Sequence, residues 1–506
     1  MANRTLALFA QAQSTPEKTA ILFEGAPTTF SDLANEVCIV AGGLQNLGVT
    51  KGTRVGILLP SGKDFIVVQQ AVLALGAVVT PVNVLYRPGE VLHAVSCCDL
   101  QVLVTNEELA RPLRVITLPD SCTVVLADTI VSDETAPIVS PVLTSDDDLA
   151  MLLLTSATTG KAKGVMLTCG NLAANYDSTP GWLGIGGSDT ILCALPLYNT
   201  FGLNQCINAM VTTGATLVLL PRFDVAQCIE TIAEHRCTFL PAVPTMLQRI
   251  FDHPDANTEK LGSLRRIMTG GAPVPSALLA RILTMAPDVT VLTGYGLTEA
   301  SALVTLTQVR IADDGSLERG RTIGKVLAGM ELAIRNEDGT DMSTGESGEI
   351  VIRGPNVMTG YYHAPDDTAA ALQNGWLHSG DIGYLDAEGY AYIVDRKKDI
   401  IIRGGQNIYP VEIEEVLYGC DGVAEAAVIA QEDEGLGEVP VAFVAFASGR
   451  AQPAEALLER CRNELARYKV PASLTIMDEL PKGPTGKILR RALRNHNSSE
   501  LTKPVS

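Results

Sequence analysis

Short uncharged apolar runs alternating with amphipathic stretches constrain this chain more than any other feature. The runs at 55–59 (VGILL), 102–104, 151–154 (MLLL) and 216–220 (TLVLL) have strand length, and 63–75 and 224–236 are amphipathic. Near-continuous apolar strands suit a sheet covered on both faces, so the rhythm predicts α/β layers with parallel strands. Near residue 330 the texture changes to short strand-like runs between Gly and Asp turns, at 331–335, 349–353 and 390–394, which predicts a β-rich subdomain. After Arg396 the pattern is mixed again. It predicts a helix from Val411, strands near 426–430 and 441–446, and a helix from Pro453 to Arg467. The expected class is α/β: a large N-terminal domain of layered α/β subdomains plus the β-rich subdomain, and a small α+β C-terminal domain.

The 506 residues are 46% hydrophobic and 19% charged, ample for cores and too large for a single small module. With 38 Lys and Arg against 57 Asp and Glu, the net charge of −19 repels DNA, RNA and anionic lipid surfaces. General nucleic-acid binding is disfavoured, and an anionic ligand needs a locally basic site. Eleven cysteines lie at no metal-ligand spacing, with only Cys97 and Cys98 adjacent, so a reducing cytoplasmic setting fits better than a disulfide framework or a zinc site. Residues 1–18 lack the features of a signal peptide, and export is not indicated. Two uncharged runs have the length of a membrane span. Pro196, Asn199, Asn204, Gln205 and Asn208 interrupt 190–221, while Gln69, Gln70, Pro81 and Asn83 interrupt 65–86. Both read as buried segments, the second as a helix, a turn at Gly76 and a strand.

Three groups of residues could carry chemistry. After the apolar strand at 152–154 comes Thr155-Ser156-Ala157-Thr158-Thr159-Gly160-Lys161-Ala162-Lys163-Gly164. Hydroxyls, glycine N–H groups and lysines can converge there on phosphate oxygens, although the Walker spacing is missing and a solvated Thr-rich turn is the competing reading. The second group is Thr293-Gly294-Tyr295-Gly296-Leu297-Thr298-Glu299, in which glycines allow close backbone approach, Thr298 can donate to phosphate and Glu299 can hold Mg2+. Gly270-Gly271-Ala272-Pro273 reads as a tight turn against which a flat ring can lie. The third group is Ser379-Gly380-Asp381, Asp395-Arg396-Lys397-Lys398 and Arg403-Gly404-Gly405-Gln406-Asn407-Ile408-Tyr409-Pro410, with Pro481–Arg491 placing Lys487 after a Gly/Pro-rich loop. A lone Asp381 reads as a turn or helix cap. The stretches 396–403 and 482–494 are the basic patches an anionic ligand would need, or solvated basic faces.

Taken in order over nearly the whole chain, these motifs, with 74–83 (ALGAVVTPVN), 195–202 and 358–362 (MTGYY), resemble the adenylate-forming superfamily. Specifically, they resemble AMP-forming acyl-CoA synthetases of the coumarate:CoA ligase and fatty-acyl-CoA synthetase type. The resemblance implies a carboxylic acid substrate, ATP with Mg2+, and coenzyme A. The acid forms an acyl-adenylate, and a thiol then takes the acyl group. It further implies that residues 155–164, including Thr155, Ser156, Thr158, Thr159, Gly160 and Lys163, hold the β- and γ-phosphates. Thr298 would hold the α-phosphate and Glu299 the metal. Gly271, Ala272, Pro273, Gly294 and Tyr295 would line the adenine site, Asp381 would accept the ribose hydroxyls, and Arg396 would bind ribose or phosphate. Lys487 would bridge the carboxylate and α-phosphate. Lys398 would be the hinge on which a mobile C-terminal domain, 398–506, swings against 1–397 to bring Arg403, Gly404 and Gly405 to the CoA channel. Tyr198, Asn199, Gly202, Met246, Gly270 and 300–304 would approach the acyl group, whose lining suits a hydrophobic or cyclic acid.

Three departures from the resembled family's usual pattern stand out: Ala157 where most members have Gly, Ala162 where most have Pro, and Tyr198-Asn199 where most have an aromatic-His pair. A methyl group narrows the phosphate loop, and Asn199 cannot carry an imidazolium charge. Two further readings follow: thioesterification of an adenylate made by a separate enzyme, and acyl transfer to the pantetheine of a carrier protein.

Overall fold

The computed structural model describes residues 3–156, 162–312, 314–433, 435–447, 450–483 and 488–494. Among the described residues, one seven-stranded sheet runs in the order Gly360–Tyr361, Ala162–Thr168, Leu149–Ser156, Val78–Pro81, Arg54–Leu58, Val102–Thr105, Thr123–Leu126. A ten-stranded sheet is built around the parallel series Thr290–Gly296, Arg266–Gly270, Phe239–Ala242, Thr190–Cys193, Thr216–Leu219 and Thr19–Phe23. Leu303–Ile311 joins its end antiparallel, beside Thr290–Gly296.

The layered α/β expectation holds, and the long apolar runs are its interior. Residues 65–83 are buried throughout, as the helix Lys63–Ala74, a left-handed turn at Gly76 (φ +65°) and the strand Val78–Pro81. The stretch reads as amphipathic, but the helix is buried from Phe65 on, with Gln70 donating to Gln69 at 2.8 Å, and it lies between layers. Among the described residues, no helix is long and apolar enough to cross a membrane.

The texture change near residue 330 marks a third, five-stranded antiparallel sheet made of Glu331–Arg335, Gly348–Arg353, Trp376–Leu385, Leu372–Gln373 and Ala391–Arg396. Residues beyond 400 form a fourth sheet, from Ile401–Arg403, Gln406–Ile408, Val423–Asp433, Gly437–Phe446 and Ser473–Met477, flanked by the helices Pro410–Tyr418 and Ala454–Glu464. This part has its own core, centred on Ile401, Ile413, Leu417, Val428, Val444 and Leu457. The main core extends from Leu8 to Leu377.

The ladders fix three local features. Leu149–Ser156 pairs antiparallel with Ala162–Thr168, with Thr155 opposite Lys163. The strand Thr290–Gly296 runs on through Gly294, Tyr295 and Gly296, because these backbones pair with Leu303–Ile311 on one side. Asp381 is neither a turn residue nor a cap. It lies within the strand Trp376–Leu385, facing Arg396 across the ladder.

Candidate active site

The parallel strands bring the motif residues to one end of the sheet. Gly270 and Gly294 are register partners at the carboxyl ends of adjacent parallel strands. A Cβ on Gly270 would lie 2.6 Å from the Gly294 carbonyl oxygen, and one on Gly294 2.6 Å from that of Thr305, so these backbones approach only because both residues are glycine. Past these ends come Gly271 (φ +79°), Ala272 and Pro273 on one strand, and the turn Thr298–Ala300 with Thr298 and Glu299 on the other. Past Thr190–Cys193 come Tyr198 and Asn199, and past Phe239–Ala242 comes the helix Pro244–Asp252 with Met246 buried. In open α/β sheets this is the edge where ligands bind.

Asp381 arrives from the third sheet and closes the group. Its carboxylate, 2% exposed, accepts the Tyr295 hydroxyl on Oδ2 at 2.5 Å and pairs with Arg396 Nε through Oδ1 at 2.8 Å. Burial, and then the Asp381 charge, push the Tyr295 phenol well above its ordinary range, so it remains a donor. Burial opposes the Arg396 charge but Asp381 outweighs it, and the guanidinium pKa is raised. Beneath, Glu349 fixes the strand: it accepts the Gly380 N–H at 3.0 Å and lies 3.2 Å from His378 Nδ1.

Glu299 and Lys163 meet around a residue that motif reading left without a role. Tyr361 donates its hydroxyl to Glu299 Oε1 at 2.9 Å, and Lys163 Nζ stands 5.3 Å from the Tyr361 ring centroid while pairing with Asp367 at 2.5 Å. Burial, and then the Glu299 charge, raise the Tyr361 phenol. The donor set suits Mg2+ arriving on substrate phosphates: a single oxygen-donor carboxylate, with no cluster of three or more His, Cys, Asp or Glu among the described residues able to cage an ion.

The remaining candidates are spread more widely. Asn199 caps the short helix Thr200–Gly202, its Oδ1 accepting the Gly202 N–H at 3.0 Å. A Cβ on Gly202 would lie 2.5 Å from the Pro196 carbonyl oxygen, so that turn is as close-packed as the strand ends. Tyr198 is half-buried and its phenol is raised by desolvation. Gly404 (φ +57°) and Gly405 (φ +81°) form an exposed turn after Arg403, whose Nη1 donates to the Tyr468 carbonyl at 2.7 Å. No hydrogen bond or ion pair among the described residues links this turn to Asp381 or Glu299. Lys398 is exposed. Thr158, Thr159, Gly160, Lys487 and the departure Ala157 lie outside the described residues, as does the Ser156 side chain.

The basic stretch 482–494 is not a free patch. Arg490 grips both oxygens of Glu414 at 2.7 and 2.8 Å, Arg494 pairs with Asp399 at 2.7 Å, and Lys482 pairs with Glu479 at 2.6 Å. Acidic side chains of the same lobe consume this charge, which the net count of −19 makes easy. Besides Tyr361, motif reading missed His93, whose Nε2 lies 2.8 Å from the Ala162 carbonyl on the hairpin stem. It also missed the chain from Tyr176 through Thr200 to the carbonyl of Ser301. The left-handed backbone of Ser301 (φ +67°) is the trace of that chain, and it is not visible in residue types.

Strand-end glycines, a buried carboxylate and hydroxyl donors at one end of a sheet are the parts of a nucleotide-using α/β enzyme. Residues 8–362 match the AMP-binding enzyme family, and residues 412–487 match the AMP-binding enzyme C-terminal domain. The chain is 35% identical over 485 residues to a feruloyl-CoA synthase of Amycolatopsis sp, covering 96% of this chain and 97% of that protein. It is 32% identical over 518 residues to a long-chain-fatty-acid–CoA ligase of Bacillus subtilis (strain 168), covering 94% and 91%. Among solved structures, the o-succinylbenzoate CoA synthetase of Bacillus subtilis in complex with its acyl-adenylate intermediate superposes with a TM-score of 0.86 at 32% identity, covering 99% of this chain and 98% of that one. The same synthetase in complex with ATP and magnesium ion gives 0.85 at 33%, covering 96% and 98%. The chain belongs to the AMP-binding enzyme family. Within it, it is an AMP-forming acyl-CoA synthetase, an acid–thiol ligase that uses ATP with Mg2+ and coenzyme A.

Proposed function

We propose that this enzyme activates a hydrophobic or cyclic carboxylic acid as its acyl-adenylate and transfers the acyl group to free CoA, both steps at the sheet end bounded by Asp381 and Glu299. The observation that carries this reading is the Tyr295–Asp381–Arg396 knot beside the paired glycines: a flat ring can lie against the strand ends while a buried carboxylate takes a diol. Bringing a carboxylate onto ATP sets like charges together, so donors must be in place at the phosphorus before reaction. We assign Thr298 to the α-phosphate and Glu299 to the metal. Thr155, Ser156, Thr158, Thr159, Gly160 and Lys163 take the terminal phosphates. Gly271, Ala272, Pro273, Gly294 and Tyr295 take the adenine, while Asp381 and Arg396 take the ribose. Bound Mg2+ would supply charge neutralisation on the phosphates. Lys487 meets the substrate carboxylate and α-phosphate. Tyr198, Asn199, Gly202, Met246 and Gly270 border the acid.

In the second step a thiol needs a water-poor path to the adenylate, since water would hydrolyse it. We assign Arg403, Gly404 and Gly405 to that path, reached when the lobe beyond 397 turns about Lys398. Relatives named as CoA synthases and ligases match over nearly their full lengths, which supports free CoA as acceptor and a complete reaction in one chain. No observation favours a carrier protein or a separate adenylating enzyme. A cytoplasmic setting suits the eleven cysteines, all free thiols.

The test is acyl-CoA detection by mass spectrometry over an acid panel spanning hydroxycinnamates, an aryl-succinate and long-chain fatty acids. One series supplies acid, ATP, Mg2+ and CoA, and the other synthetic acyl-adenylate and CoA. Product in both series is expected. Product from the adenylate alone would remove the first half-reaction from this chain, and product in neither would remove the proposal.

A further inference from the structure

We propose that Tyr361 is a positioning residue for the metal-binding carboxylate of Glu299: its hydroxyl holds one carboxylate oxygen so that the other is presented to Mg2+. This rests on the assignment of Glu299 to the metal. Among the described residues, the Tyr361 hydroxyl is the one hydrogen-bond donor to that carboxylate, at 2.9 Å from Oε1. A carboxylate with both oxygens free can rotate, whereas one with a fixed donor on Oε1 has a fixed direction for Oε2.

The donor is itself immobilised by the backbone that carries it. Gly360 and Tyr361 pair with Met166 and Val165 on the hairpin stem, and the Tyr362 N–H donates to the Gly164 carbonyl at 2.8 Å. Thr368 Oγ1 accepts the Tyr361 N–H at 2.8 Å, packed where Gly360, at φ +147°, has no side chain. The same segment grips the other end of its target, the Met358 N–H donating to the Glu299 carbonyl at 2.8 Å. Residues 358–362 therefore tie the metal carboxylate to the stem of the phosphate hairpin. Lys163, on that stem, lies over the Tyr361 ring. Partners that orient a metal ligand typically alter metal affinity or activity 10–100-fold when removed.

The test uses Tyr361→Phe, which deletes one oxygen and keeps the ring against Lys163. Mn2+ binding to the full chain with a non-hydrolysable ATP analogue is read by electron paramagnetic resonance. Alongside it, the Mg2+ requirement of pyrophosphate exchange and the KM for the acid are measured. Expected is Mn2+ binding weakened about tenfold, a matching rise in the Mg2+ needed for half-maximal exchange, and an unchanged KM for the acid. In a double-mutant cycle, adding Tyr361→Phe to Glu299→Gln should cost nothing further, because the hydroxyl acts through that carboxylate. Additive losses, or Mn2+ binding within twofold of the parent, would overturn the proposal. So would a Tyr361→Phe chain that fails to fold, which marks the hydroxyl as structural. If Glu299→Gln alone leaves Mn2+ binding intact, it is the assignment of Glu299 that fails, and the two failures are thereby told apart.

Discussion

Asp381 and Asp395 lie on paired antiparallel strands, and each is 2% exposed, yet the protein treats the two carboxylates differently. Asp381 has side-chain donors on both oxygens, the Tyr295 phenol and the Arg396 guanidinium. Asp395 has main-chain donors instead: Arg396 N–H at 2.7 Å and Val411 N–H at 3.2 Å, the latter from the far side of Lys398. Burial pushes its pKa up to about 6 although the Arg490 charge pulls the other way, and the Glu414 charge raises it further. Side-chain donors can turn toward a ligand and leave the strand intact, which suits a binding carboxylate. A carboxylate held by backbone amides against the cost of burial is a weaker tie, which suits the turn proposed about Lys398.

The largest effect that separates the two regions is Asp381→Asn. Two charge-assisted hydrogen bonds to a diol are worth about 3 kcal/mol together, so AMP affinity should fall about a hundredfold by calorimetry. Asp395→Asn should leave AMP affinity within about twofold. Equal losses in the two variants would erase the distinction.

Comparable in size is Arg490→Ala. The Glu414 side chain, 6% exposed, loses its guanidinium partner, while Asp399 keeps Arg494 at 2.7 Å. Stripping one partner from a buried pair costs about 3–5 kcal/mol, so hydrogen exchange over 410–418 should accelerate by about two orders of magnitude while the strand 290–296 is unaffected. Arg490→Met, of similar reach but uncharged, should do no better, because the loss is of charge compensation rather than packing. Recovery by Met would reassign the cluster to packing.

These two carboxylates also mark what could be read from residue order. The glycine and hydroxyl motifs are local: their spacing carries the chemistry, and the expected layers, the β-rich insert and the separate C-terminal core all follow from runs of a few residues. Asp381 defeated that reading because Ser379, Gly380 and Gly383 interrupt the alternation of a strand whose continuity depends on both neighbours in the ladder. Arg490 read as a free cation because its partner Glu414 lies 76 residues earlier, and Tyr361 was silent because Glu299 lies 62 residues away. Long-range pairing is set by topology, which no short window contains.

A smaller effect is the pH dependence of the joint. Asp395 has a folded pKa of about 6, above the ordinary value near 3.9, so the folded state holds the proton more tightly than the unfolded one. Its contribution is therefore fully present below about pH 4 and is lost as pH rises through about 6, a swing of about 2–3 kcal/mol. Urea melts between pH 4.5 and 7.5 should show that loss in the parent and a flatter profile in Asp395→Asn. An identical slope in both would place the titration elsewhere.

The smallest effect is the control that keeps this comparison from being one of charge alone. Lys397 stands next to Arg396 and Lys398, half-exposed, 3.7 Å from Glu349. An exposed ion pair contributes at most about 1 kcal/mol, so Lys397→Ala should change melting by no more than a degree or two and leave the AMP affinity and the pH profile as they were. If it instead reproduced either aspartate phenotype, net charge on the stretch 395–399 would be the controlling variable, and the burial and donor type that distinguish Asp381 from Asp395 would not. A null result leaves those two differences, a phenol and guanidinium against two backbone amides, as the physical basis for the separate roles proposed for Asp381 and Asp395.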